Sequence, residues 1–95
     1  MSDPFRVSHV GFVAGSDADR ARGLLFFVSF RVGLLIVDGV ALRRTRGGRL
    51  TLSYPARHDA RGVQHAIVRP IDDTARVAIE AQVFAALHLE REAAP

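Results

Sequence analysis

The seven residues LLFFVSF, Leu24 to Phe30, constrain the fold more than any other stretch. Read as a strand, they set Leu24, Phe26, Val28 and Phe30 on one face and Leu25 and Phe27 on the other. Both faces are apolar, which is the pattern of a strand buried on both sides of its sheet. Full burial of each Leu or Phe stabilises by about 1.5–3 kcal/mol, so leaving either face in water is costly. A chain of 95 residues has one core and little to cover it with. One helix can close one face, and a second subunit is the natural cover for the other.

The neighbouring segments read as further strands. FRVSHVGFV, Phe5 to Val13, places Phe5, Val7, His9, Gly11 and Val13 on one face and Val10 and Phe12 on the other. AGSDADRARG reads as a turn or irregular hairpin tip. LLIVDGVAL is a third run with Asp38-Gly39 as a turn or bulge, and Gly47-Gly48 suits a tight hairpin turn. RLTLSY alternates cleanly, Leu50, Leu52 and Tyr54 inward, Thr51 and Ser53 outward, and Pro55 ends it. ARHDARG is a loop and VQHAIV a last strand. Asp72, Asp73 and Thr74 then offer N-cap oxygens to a helix. Its apolar stripe is Ala75, Ile79, Val83 and Leu87, widened by Val77, Ala81 and Phe84, with Arg76, Glu80 and Arg91 solvated. The expected fold is a single α+β domain over 1–95, a small antiparallel sheet of about five strands with a C-terminal helix and a frayed tail at 90–95.

Charge is unevenly spread. Residues 43–69 hold Arg43, Arg44, Arg46, Arg49, Arg57, Arg61 and Arg69 against Asp59 alone, a net of +6, on a chain whose formal charge is only +3. All 13 cations are Arg, in a chain rich in Ala, Gly and Val, so the preference for Arg over Lys reflects composition. The clustering does not, and a basic middle on a near-neutral chain is the footprint of a polyanion binder. Arg presents a planar fork that fits phosphate oxygens and guanine edges. If the strands pair as read, two adjacent loops carry six Arg, with Tyr54 as the one aromatic near them.

Other chemistries find little support. There is no Cys, hence no disulfide framework or thiolate nucleophile. His58 and His65 lie seven apart in a spacing that matches no zinc pattern, and neither a nucleophile–base–orienter set nor a phosphate loop stands out. No enzyme activity, metal, cofactor or small-molecule substrate is expected. MSDPFRVSHV lacks the charged-then-apolar pattern of a secretory leader, and the longest apolar stretch is short of a bilayer span and interrupted by Arg31. The expected location is cytoplasmic, away from membranes.

The stretch LTLSYPARHDARGVQHAIVRPIDDTAR resembles the SpoVG family, the stage V sporulation protein G or septation-regulator proteins. That pattern is a strand, Pro-x-basic-basic, a short loop with Gly, a strand ending in Pro-Ile/Leu, and a helix with Arg in its first turn. The matching positions are Leu50, Pro55, Arg57, His58, Gly62, Ile67, Pro70, Ile71 and Arg76, and VSHV and VFAALH also fit. The resemblance implies a homodimeric bacterial regulator that binds DNA, in some members RNA, and influences gene expression or cell septation. It assigns binding to the basic pair, here Arg57 and His58. His58 departs from the usual Lys or Arg, so phosphate affinity is expected to draw on Arg61 and on Arg43, Arg44 and Arg46. Arg49 adds electrostatic pull and Arg76 an anion contact at the helix start. The rival expectation is a dimeric protein-interaction module whose Arg cluster docks on an acidic protein partner.

Overall fold

The computed structural model describes residues 6–88. Its elements are β1 (Val7–Ala14), α1 (Asp17–Ala21), β2 (Leu24–Val32), β3 (Leu35–Arg44), β4 (Leu50–Ser53), β5 (Ala56–His58), β6 (Gln64–Ala66) and α2 (Asp73–Ala86). Phe5, Arg91 and the tail at 90–95 lie outside the described residues. The first four strands form one antiparallel sheet in the order β1-β2-β3-β4, while β5 and β6 pair only with each other. The fold is α+β as expected, but the expected single sheet of about five strands is divided. Pro55 follows β4 and cannot donate to a ladder. The chain leaves the sheet there, and the Ile67 N–H donates to the Pro55 carbonyl at 3.0 Å, closing the base of a separate hairpin.

β2 follows its two apolar faces only in part: Leu25, expected on the face opposite Phe26, packs against the core, because the pairing with β3 shifts register between Leu24 and Phe26. Leu24, Val28 and Phe30 are buried, and Phe26 packs partly against the same core. The other face is uncovered in the single chain: Phe27 is 42% exposed, flanked by Val13 on β1 and Ala41 on β3. Asp38-Gly39 forms a bulge within β3, since the pairing skips from Phe30–Val37 to Val28–Val40. The turn between β2 and β3 is instead the two residues Gly33-Leu34. The β3–β4 connection spans Thr45 to Arg49, tied by the Arg49 carbonyl accepting from Thr45 N (2.8 Å) and Thr45 Oγ1 accepting from Arg49 N (3.2 Å). Leu50 and Leu52 point into the core and Tyr54 packs against it, as their alternation predicts.

Further expectations are corrected. β1 does not alternate throughout: its register shifts between Ser8 and Gly11, with His9 at φ 53°. Val7 and Val10 therefore both pack toward the core while Val13 lies exposed. The segment read as a turn contains α1, because Ser16 and Asp19 form a reciprocal capping box with both bonds at 3.1 Å. The segment read as the loop ARHDARG begins with strand β5, because Ala56, Arg57 and His58 find partners in Ala66, His65 and Gln64. Finally, Glu80 is not solvated but 1% exposed.

α2 begins at its N-cap Asp72, whose Oδ1 accepts from Ala75 N at 2.8 Å. Ala75, Ile79, Val83 and Phe84 are buried and Leu87 packs partly, whereas Val77 and Ala81 face solvent. The core is thus Val28, Phe30, Val37, Val40, Leu42, Leu50 and Leu52 against Ile79, Val83 and Phe84. The helix also finishes the sheet's two edges. Glu80 Oε2 accepts from Leu52 N on β4 at 3.2 Å, and Gln82 Oε1 accepts from Val7 N on β1 at 2.8 Å.

Candidate nucleic-acid interface

The β5–β6 hairpin is an arm whose tip is built around one carboxylate. Asp59 Oδ1 accepts the N–H groups of Arg61 (2.8 Å) and Val63 (3.0 Å), an Asx-type turn. Asp59 Oδ2 lies 2.8 Å from His65 Nε2. Main-chain bonds from Asp59 N to the Val63 carbonyl and from Gly62 N to the Asp59 carbonyl complete the turn. These donors, His65 first and then the Val63 and Arg61 amides, hold the Asp59 carboxyl below its ordinary 3.8. Arg57 stands opposite His65 and His58 opposite Gln64. Arg57, His58 and Arg61 are all exposed, and Arg57, His58, Asp59, His65, Ala66 and Ile67 line an open hollow on the arm. No carboxylate pairs with Arg57 or Arg61 among the described residues.

Arg43, Arg44, Arg46 and Arg49 are also exposed, but they lie at the other end of β4. Their turn precedes Leu50, whereas the arm leaves after Ser53. The six Arg expected on two adjacent loops are therefore divided between two sites. At the first of these, two further Arg join that the expected set did not contain. The Gly23 carbonyl accepts from Arg44 N at 2.7 Å, which carries the β2–β3 pairing one residue beyond Leu24–Arg43 and sets the residues after α1 beside the end of β3. Arg20 and Arg22 consequently share one open cleft with Arg44 and Arg46, floored by Gly23, Leu25 and Thr45. The spacing Ser16-x-x-Asp19, a capping signature, is the sequence signal that could have revealed α1. Nothing local in the sequence reveals that α1 ends beside β3.

Arg76 is differently placed. Its guanidinium donates to Glu80 Oε1 (3.2 Å) and approaches Asp73 Oδ1 (3.5 Å), so its charge is balanced on the helix itself. It lines a small recess with Arg49, Thr45, Leu50, Thr51 and Glu80. Tyr54, the aromatic expected near the cluster, is no stacking platform. Its hydroxyl is buried without a hydrogen-bond partner among the described residues. Burial, with the Glu80 charge adding and Arg76 opposing, pushes its ionisation up to about 12.

The described residues contain no helix long and apolar enough to cross a membrane, and no group of three or more His, Asp or Glu placed to hold a metal ion. No family model, curated protein or solved structure matches the chain.

Proposed function

We propose that this chain is a nucleic-acid-binding regulatory protein of the SpoVG type, a homodimer that binds DNA, and RNA as a second ligand, in the cytoplasm and acts on gene expression or septation. The observation that carries the reading is the arm. A two-stranded ribbon is the size of element that a major groove admits. This one has a tip stiffened by Asp59 and presents Arg57, His58 and Arg61, with no carboxylate against either Arg among the described residues. The order of motifs from Leu50 to Arg76 supports the family assignment, and the regulated process rests on that resemblance alone. The dimer is supported by surface that one copy leaves bare: Phe27 and Val13 on the outer sheet face, and Leu34, Leu35 and Ile36 at the β2–β3 tip.

The test is binding of labelled duplex DNA, single-stranded DNA and RNA by fluorescence anisotropy across salt, with light scattering for the size of the complex. The log–log salt slope should be several units. Arg57→Ala with Arg61→Ala should flatten it by about 0.9 for each duplex phosphate no longer neutralised. Absence of binding at low salt would favour the rival, a dimeric module docking on an acidic protein. The exposed Arg57, Arg61, Arg44 and Arg46 are the surface that suits such a partner.

A further inference from the structure

We infer that the end of the sheet beside α1, where the cleft between α1 and the end of β3 opens, is a second nucleic-acid site, specific for single strands. Arg20, Arg22, Arg44 and Arg46 take the phosphates, and Phe12, backed by Phe26, takes a base. The inference rests on the nucleic-acid function proposed for the arm but concerns different residues.

The phosphate half is a cleft with four guanidinium groups and no acid in its lining. No carboxylate pairs with any of the four among the described residues. Asp19 interacts electrostatically with Arg22 of the cleft, and its Oδ2 is occupied by the Ser16 N–H at 3.1 Å. That bond is the leading reason its carboxyl is held below 3.8, with Arg22 and Arg43 contributing further. The backbone beneath the cleft is fixed from three sides. The capping box holds α1, the Gly23–Arg44 bond extends the β2–β3 ladder to the residue just after α1, and the Thr45–Arg49 bonds hold the turn. Anchoring of this kind lowers the ordering cost of binding.

The base half is an aromatic surface continuous with the cleft. The Arg20 guanidinium lies 5.9 Å from the centroid of the Phe26 ring. Phe26 in turn meets Phe12 edge-to-face, with centroids 5.5 Å apart and planes at 83°. Phe12 is 58% exposed on the edge strand β1, so the core does not account for it. A basic track beside an exposed aromatic ring is the arrangement that holds single strands: phosphates follow the charge and unpaired bases stack on the ring. Duplex bases are already stacked on one another and do not reach a side chain at a sheet edge.

The test uses the full chain with labelled oligothymidine, a duplex of equal length, and a poly-glutamate peptide. Phe12→Ala should weaken oligothymidine binding by about 5- to 150-fold without changing its salt slope, and leave duplex binding as it was. Phe12→Trp should restore it. The pair Arg20→Ala, Arg22→Ala should reduce the single-strand salt slope by about 0.7 for each phosphate no longer neutralised. All these positions are exposed, and circular dichroism checks that each variant folds. Tight, salt-sensitive binding of oligothymidine that none of these variants changes would overturn this site while leaving the proposed function standing. Equal loss for duplex and single strand in Phe12→Ala, or poly-glutamate bound as strongly as oligothymidine, would overturn it too. No binding of any nucleic acid would overturn both.

Discussion

Glu80 Oε2 accepts the Leu52 amide hydrogen at 3.2 Å, so an acid from the middle of α2 closes the open edge of β4. The other oxygen, Oε1, accepts from Arg76 at 3.2 Å. An almost fully buried carboxylate is tolerable only with such partners. It serves two purposes at once: it orients the helix on the sheet and removes a free N–H from an edge strand. Glu80→Ala should therefore cost about 2–4 kcal/mol, because it strands the Leu52 N–H and one arm of Arg76. Glu80→Gln keeps an acceptor and should cost less. Urea unfolding reads both; two midpoints equal to that of the unmodified chain would refute the edge-closing role.

Tyr54 is the only tyrosine, and there is no tryptophan, so its ionisation can be followed alone by ultraviolet absorbance. In the folded chain it should ionise near 12 rather than its ordinary 10.0. Its folded value is raised, so the folded state holds the proton more tightly. Stability is then fully present below about pH 10 and falls as pH rises toward 12. A phenol that titrates near 10 before the chain unfolds would show that Tyr54 is not packed against the core.

How much of this is legible in the sequence depends on the range of the interaction. The inward set Leu50, Leu52 and Tyr54, the buried set Leu24, Val28 and Phe30 of β2, and the Asp72 cap are local patterns, and they survive in the fold. Glu80 with Arg76 four residues earlier looks like any solvated helix pair. Only the position of β4 buries it. The bulge at His9 breaks the alternation of β1 with a left-handed residue that is not Gly, which no period-two pattern foresees. The charge cluster is visible in the sequence, but its division between two sites follows from the direction of β4. Arg20 and Arg22 join Arg44 and Arg46 only through the contact of Gly23 with β3.

That contact makes Gly23 hard to replace. Its φ is +91°, and a Cβ there would lie 2.6 Å from the Arg44 carbonyl oxygen, a backbone atom that cannot rotate away. Gly62 at the arm tip has φ +80° but nothing within 4 Å of its would-be Cβ. Gly62→Ala should cost only the left-handed strain, about 1–2 kcal/mol and local to the arm. Gly23→Ala should cost more and shift the thermal unfolding midpoint further. Equal midpoints for the two variants would contradict the close approach of Gly23 to the Arg44 backbone.

The arm's order should depend on Asp59. Its folded pKa is depressed, so its contribution is present above about pH 4 and lost as the pH falls through the lowered value. Hydrogen exchange at the Arg61 and Val63 amides should accelerate on acidification, and in Asp59→Ala at neutral pH, while the core amides of β2 stay protected. Unchanged exchange at both amides in Asp59→Ala would show that the carboxylate does not hold the tip.

The most direct test of nucleic-acid binding is amide NMR of the isotope-labelled chain titrated in turn with a duplex and with a single-stranded oligonucleotide at low salt. Binding as described predicts shifts in two separate groups, Arg57 to Val63 on the arm and Arg20 to Gly23 with Arg44 to Arg49 at the cleft, both fading as salt is raised. No shifts at low salt, or shifts confined to Leu34, Leu35 and Ile36, would contradict it.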